Sequence, residues 1–209
     1  MFRRTLLVAG LSLALSSSAL AQSAQDEVYP LMQRWGNVEY QMQGDAQEKA
    51  FASLAEEARQ LAAAYPDSAQ ALTAEGVVLA SYAKAKGGLG ALDLAKQARD
   101  ALEHAIELDP QGDNGSAYVT LAALYDRAPG WPVGFGDDDK AGELFRQAMA
   151  IRPDGIDTNY YYATYLESEG RTDEARQHAQ QAVNGTARPG RRSDEALREE
   201  ARALLGELQ

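Results

Sequence analysis

The sequence predicts an all-α solenoid of helix pairs closed by a C-terminal capping helix, and three observations carry that prediction. From residue 22 onward apolar residues recur at intervals of three and four and almost never at two, which is the period of a helix face. The composition there is rich in Ala, Leu, Gln, Glu and Arg, all favourable in helices. Pro66, Pro110, Pro153 and Pro189 then punctuate the chain at intervals of 44, 43 and 36 residues, and regularly spaced helix stops suggest a repeat. With 209 residues, 45% hydrophobic, 24% charged and no cysteine, the chain has the composition of an ordinary folded domain, neither disordered nor held by disulfides.

The first element is an address. Arg3 and Arg4 precede an apolar run from Leu6 to Leu15, then Ser16, Ser17 and Ser18, then Ala19-Leu20-Ala21: the charged, apolar and small-residue parts of a secretory signal. Ten residues reach only about 15 Å as a helix, half a hydrocarbon core, so the segment reads as a signal and not an anchor. The expectation is a cleaved leader over residues 1–21, cut after Ala21, and a free periplasmic protein of residues 22–209 in one helical repeat domain. The paired arginines leave both the general secretory and the twin-arginine routes open. No later stretch is apolar enough to span a bilayer. The chain carries −11, and loss of Arg3 and Arg4 makes it two units more acidic, which disfavours nucleic acid and anionic membrane as partners.

The repeat shows when the chain is aligned backwards from its prolines. Leu54, Ala58, Leu61, Pro66 and Ala98, Leu102, Ala105, Pro110 share offsets of four, seven and twelve, and Ala141, Phe145, Ala148, Pro153 follow the same rule. A fourth segment keeps Ala175, Ala179 and Ala182, with Ala187 in the proline position. Residues at zero, four and seven share one helix face, and alanine there lets a partner helix approach closely. That partner lies just upstream: Met32, Trp35 and Gly36 in the first unit, Leu72, Gly76 and Leu79 in the second, Tyr118, Leu121, Ala122 and Tyr125 in the third, Tyr162, Ala163 and Leu166 in the fourth. Ser193, followed by Asp194 and Glu195, opens a capping helix over about 193–208 striped by Ala196, Leu197, Ala201, Leu204, Leu205 and Leu208.

This spacing resembles the tetratricopeptide repeat (TPR), with Ala163, Leu166, Gly170, Ala175, Ala179 and Ala182 matching most closely over roughly residues 45 to 187. The resemblance implies a right-handed solenoid whose first helices form a concave wall, and it speaks to architecture more than to function. Two units depart from it: Gly76 to Ala98 and Ala122 to Ala141 span twenty-two and nineteen residues where twelve are usual. The first insertion, Gly87-Gly88-Leu89-Gly90, lacks the lysine-serine pair of a phosphate loop and reads as a plain flexible turn.

The second insertion, DRAPGWPVGFGDDDKA, sets Trp131 and Phe135 among prolines ahead of three acids. Either the two aromatics fold back as packing while Asp137 caps the next helix, or the loop is a lid or a partner patch. With its flanks, over about residues 112 to 152, it is similar to the periplasmic T component of TRAP-type transporters, which implies an organic ligand or a solute-binding partner. On the concave wall, spacing transferred from TPR proteins nominates Thr73, Val77, Val119, Ala123, Asp126, Tyr160, Thr164 and Glu167, and Tyr161 joins them as a contact candidate. No lysine or arginine cluster stands there to clamp a peptide carboxylate.

His104 and His178 have neither cysteine nor a second histidine at ligand spacing and read as polar edge residues, and the three acids lack the alternation of a calcium loop. Arg188, Arg191 and Arg192 read as a solvated linker. No nucleophile signature appears, so no catalytic residue, metal or cofactor is expected. Two functions follow: a non-catalytic periplasmic scaffold for another envelope protein or peptide, or a small-molecule-binding accessory of a solute transporter. They differ in shape, an open groove for the first and an enclosed apolar pocket for the second.

Overall fold

A computed structural model describes residues 9–188 and 190–208, with side chains from residue 24 onward except at position 89. The expected leader falls on residues 1–8, outside the described residues, and on residues 9–21, described as backbone only; Pro189 is also outside. Among the described residues nine helices follow one another: α1 (Ala9–Gln41), α2 (Gly44–Ala64), α3 (Ala69–Lys86), α4 (Gly88–Leu108), α5 (Ser116–Arg127), α6 (Asp138–Ile151), α7 (Ile156–Ser168), α8 (Thr172–Asn184) and α9 (Arg192–Glu207). No strand occurs among them.

The template residues are where the helices meet. Ala58, Ala98, Leu102, Ala105, Ala141, Ala148, Ala175, Ala179 and Ala182 are fully buried and Phe145 nearly so. Successive helices pair as α1 with α2, α3 with α4, α5 with α6 and α7 with α8, and the first helices α3, α5 and α7 also touch one another to make an inner wall. Gly76 lets α4 lie close on α3, since a Cβ there would come within 2.4 Å of Leu102 Cγ. The helices α2, α4 and α6 each end two residues before Pro66, Pro110 and Pro153, as the missing N–H requires.

The two insertions resolve differently. The first becomes helix: α3 runs on to Lys86 and α4 starts at Gly88, so one residue, Gly87 at φ +60°, separates them, and Gly88 and Gly90 belong to α4. The expected flexible turn is therefore replaced by added helical length. The second stays a loop, residues 128–137, tied by Gly136 N–H to Pro129 O at 2.9 Å, Gly134 N–H to Gly130 O at 3.0 Å and Asp137 N–H to Tyr125 O at 3.0 Å. Asp137 caps α6 as anticipated, accepting from Lys140 N at 2.9 Å. Ser193 does not cap α9, which begins at Arg192 without a side-chain cap.

α1 and α9 change the architecture from an open solenoid. α1 pairs with α2 and also lies against α3 and α9, so the two ends of the repeat meet. Trp35 Nε1 donates to Ser81 Oγ at 2.9 Å, Lys84 pairs with Glu39 at 2.9 Å, Gln33 Nε2 donates to Gly190 O at 2.5 Å and Arg192 to Asn37 Oδ1 at 3.2 Å. A helix of such length would otherwise leave Leu31 and Val38 in water; both are buried in the main core.

Candidate functional site

Because α1 crosses the inner wall, the concave side is a chamber of about 400 Å³. Its floor comes from α3, α5 and α7, its roof from Val28, Met32, Trp35 and Tyr40 of α1, and one flank from Ala91, Leu92 and Ala95 of α4. Apolar side chains dominate toward Val77, Ala80, Ala123 and Leu124. The polar end gathers Gln70, Asp113, Ser116, Arg188, Arg191 and Ser193. A smaller recess of about 110 Å³ shares Asp113, Arg191, Ser193 and Trp35 with the chamber and extends past Tyr29 and Arg192.

Two hydroxyls of lining residues are buried without a partner among the described residues, Thr73 Oγ1 and Tyr40 OH. Burial pushes the phenols of Tyr40 and Tyr161 well above their ordinary value, so both stay neutral. Arg127 lies over the Tyr161 ring, 5.4 Å from its centre, at the far wall. Beneath the polar end, Asp157 is held by Arg152 and by Arg188 at 3.2 Å, while Arg188 also grips Asp194 through Nη2 at 2.6 Å and Nε at 2.9 Å. Burial alone would raise the Asp157 carboxyl, but the two guanidiniums outweigh it and hold the carboxyl below its usual range.

The nominated residues divide. Val119 and Tyr161 line the chamber together with Thr73, Val77 and Ala123. Tyr160 is turned away, edge-on to Tyr161 at 5.2 Å and packed with Leu197 and Ala201 of α9. Thr164 Oγ1 donates to Tyr161 O at 2.8 Å, Asp126 sits half-buried beside Arg127, and Glu167 is exposed; none of the three lines the chamber. The transferred spacing assumes a groove open along its full length, whereas α1 and α9 close over its end.

Trp131 and Phe135 part company as well. Phe135 folds back edge-on to Tyr125 at 5.4 Å, with Arg99 4.8 Å above its ring, whereas Trp131 is 90% exposed and Val133 66%. Of this loop only Ala128 and Pro129 reach the chamber, so Trp131 does not cover it. The arginine linker is likewise corrected: Arg188 is a part-buried ion-pair centre, not a solvated residue. His178, expected at a polar edge, packs 4.7 Å from the Tyr162 ring, and its Nδ1 meets Asn159 Oδ1 at 2.9 Å. Asn159 is fully buried, its Nδ2 already donating to Pro153 O and Gly155 O, which fixes His178 Nδ1 as donor to Oδ1.

Trp35, Tyr40, Gln70, Asp113, Arg188 and Arg191 are site residues that sequence reasoning misses. Gly112-Asp113-Asn114-Gly115 is the available signal, since all four adopt positive φ, 53°, 48°, 55° and 82°, a left-handed turn that Gly, Asp and Asn tolerate best. Among the described residues no group of three or more histidines, aspartates and glutamates is placed to hold a metal ion.

No protein-family model and no curated protein matches the chain. Its fold is similar to that of a thermophilic TPR protein from Thermus thermophilus, with a TM-score of 0.57 and 19% identity over 76% of this chain and 78% of that one. At that identity the likeness speaks for the fold alone, and the similarity of residues 112–152 to the transporter T component gains no support. The architecture is a TPR-like all-α solenoid of helix pairs.

Proposed function

We propose that this chain is a non-catalytic binding protein of the cell envelope, and that its ligand is a small organic molecule held between α1 and the inner wall. One observation carries the reading: α1 roofs part of the concave side, leaving a half-open chamber of about 400 Å³ lined mostly by apolar side chains. Small-molecule sites are concave, mostly apolar and about 300–1,000 Å³, with a few convergent polar groups. A peptide lying along the wall would need the space that α1 occupies. The envelope location rests on Arg3, Arg4 and the apolar run that follows, and an intact mass beginning at Gln22 would support it.

The scaffold reading keeps one observation of its own, the exposed Trp131 and Val133 on a loop held by its own backbone bonds. The chain has two tryptophans, one in the chamber and one on this tip, so they report separately. In a Trp131→Phe protein the fluorescence of Trp35 should change when a small-molecule extract of the source cells is added. A Trp35→Phe protein should not respond to that extract. Response confined to Trp131, and only on adding envelope proteins, favours the scaffold instead.

A further inference from the structure

Seven charged side chains line the chamber, and five are already engaged. Lys84 pairs with Glu39; Asp157 lies between Arg152 and Arg188; Arg188 also holds Asp194; Arg127 stacks on Tyr161 beside Asp126. Two remain, one of each sign. Asp113 and Arg191 attract each other but form no ion pair among the described residues, and both line the chamber and the adjoining recess. Gln70 offers Asp113 a hydrogen bond but no countercharge. Asp113 is part-exposed and Arg191 exposed where they line the chamber and the recess, so both present their charge to whatever enters. The turn that presents Asp113 is itself unfavourable, with two non-glycine residues at positive φ. Backbone strain of this kind persists where the surroundings over-determine it.

We infer that the polar end of the chamber receives the ammonium and carboxylate of an apolar amino-acid-type zwitterion, the ammonium on Asp113 and the carboxylate on Arg191, its side chain against Val77, Ala80 and Leu124. This rests on the small-molecule reading above and names the ligand class. A zwitterion meets both groups at once and leaves the charge balance of the polar end unchanged, while a simple anion or cation meets only one of the two.

The test is calorimetric titration of the full mature chain with matched sets: leucine, 4-methylpentanoate and isoamylamine; phenylalanine, 3-phenylpropanoate and phenethylamine. In at least one set the zwitterion should bind at least about tenfold tighter than both single-charge analogues, the worth of one charge-assisted bond. Asp113→Asn, which keeps a residue tolerant of positive φ, should erase the advantage over the carboxylate. Arg191→Gln should erase the advantage over the amine. Carboxylate or amine binding as tight as the zwitterion, with Asp113→Asn silent and Val77→Trp abolishing it, would overturn the zwitterion and leave the chamber reading intact. Failure of every compound to bind, with the fold of the wild-type chain verified by circular dichroism, would overturn the zwitterion, and the chamber reading falls with it only if Trp35 also fails to respond to the cell extract.

Discussion

Gly76 shows how much one missing methyl decides. A Cβ would meet Leu102 Cγ at 2.4 Å and Ala98 O at 3.2 Å, so α3 and α4 must separate to admit it. Gly76→Ala is expected to destabilise by about 1–3 kcal/mol in urea unfolding despite alanine's better helix propensity, and Leu102→Ala in the same chain should cost less than it does alone. Asp157 makes a second prediction. Its carboxyl is held below its ordinary 3.8, so the unfolded chain binds the proton first, and the stability it contributes is present above about pH 4 and lost as pH falls further. Asp157→Asn should flatten acid unfolding below about pH 4 and, at neutral pH, destabilise by about 1.5–3 kcal/mol by taking the carboxylate from Arg152, while Arg188 keeps Asp194. The alanine positions are legible because their offsets recur. The arginine–aspartate cluster is not, because Arg188 reaches Asp157 across 31 residues of sequence.

At the scale of elements, length rather than motif explains the departures from a regular repeat. Ten extra residues between Gly76 and Ala98 lengthen two helices, and those added turns bring Lys84, Ala91 and Leu92 to the chamber. Helical periodicity is legible there, but glycine content points to a loop; two consecutive positive φ angles, at Gly87 and Gly88, make the turn. α1 is the element least visible in the sequence, since nothing local marks a helix that packs across a distant wall. Its hold rests on Trp35, whose indole bonds Ser81 and meets Tyr40 edge-on at 6.1 Å, more than on the Lys84–Glu39 pair, where Lys84 is 69% exposed. Trp35→Ala should therefore accelerate amide exchange over residues 24–41 while α5 to α8 keep their protection. Lys84→Ala should leave that pattern nearly unchanged.

For the whole molecule, contact of α1 with α3 and α9 lays a roof over part of the groove that the repeat presents, leaving a half-open chamber. The all-α class, the order of helix pairs and part of the wall, Val77 and Val119 among it, follow from period and spacing, while Tyr161 is marked by its place in a run of tyrosines. The polar end does not, because it is assembled from the α4–α5 turn, the α8–α9 linker and the first turns of α3, α5 and α9, which only the fold brings together. Trp131 points outward, so ligand capture should survive Trp131→Ala and fail when the chamber is filled. The most direct measurement is native mass spectrometry of the chain purified gently from its own envelope fraction, beside Val77→Trp and Ala123→Phe forms of unchanged helical content. A small bound mass on the native chain, shed under mild activation and missing from both filled forms, is the predicted result. A bare native chain, or a mass that the filled forms retain, would contradict the chamber as the binding site.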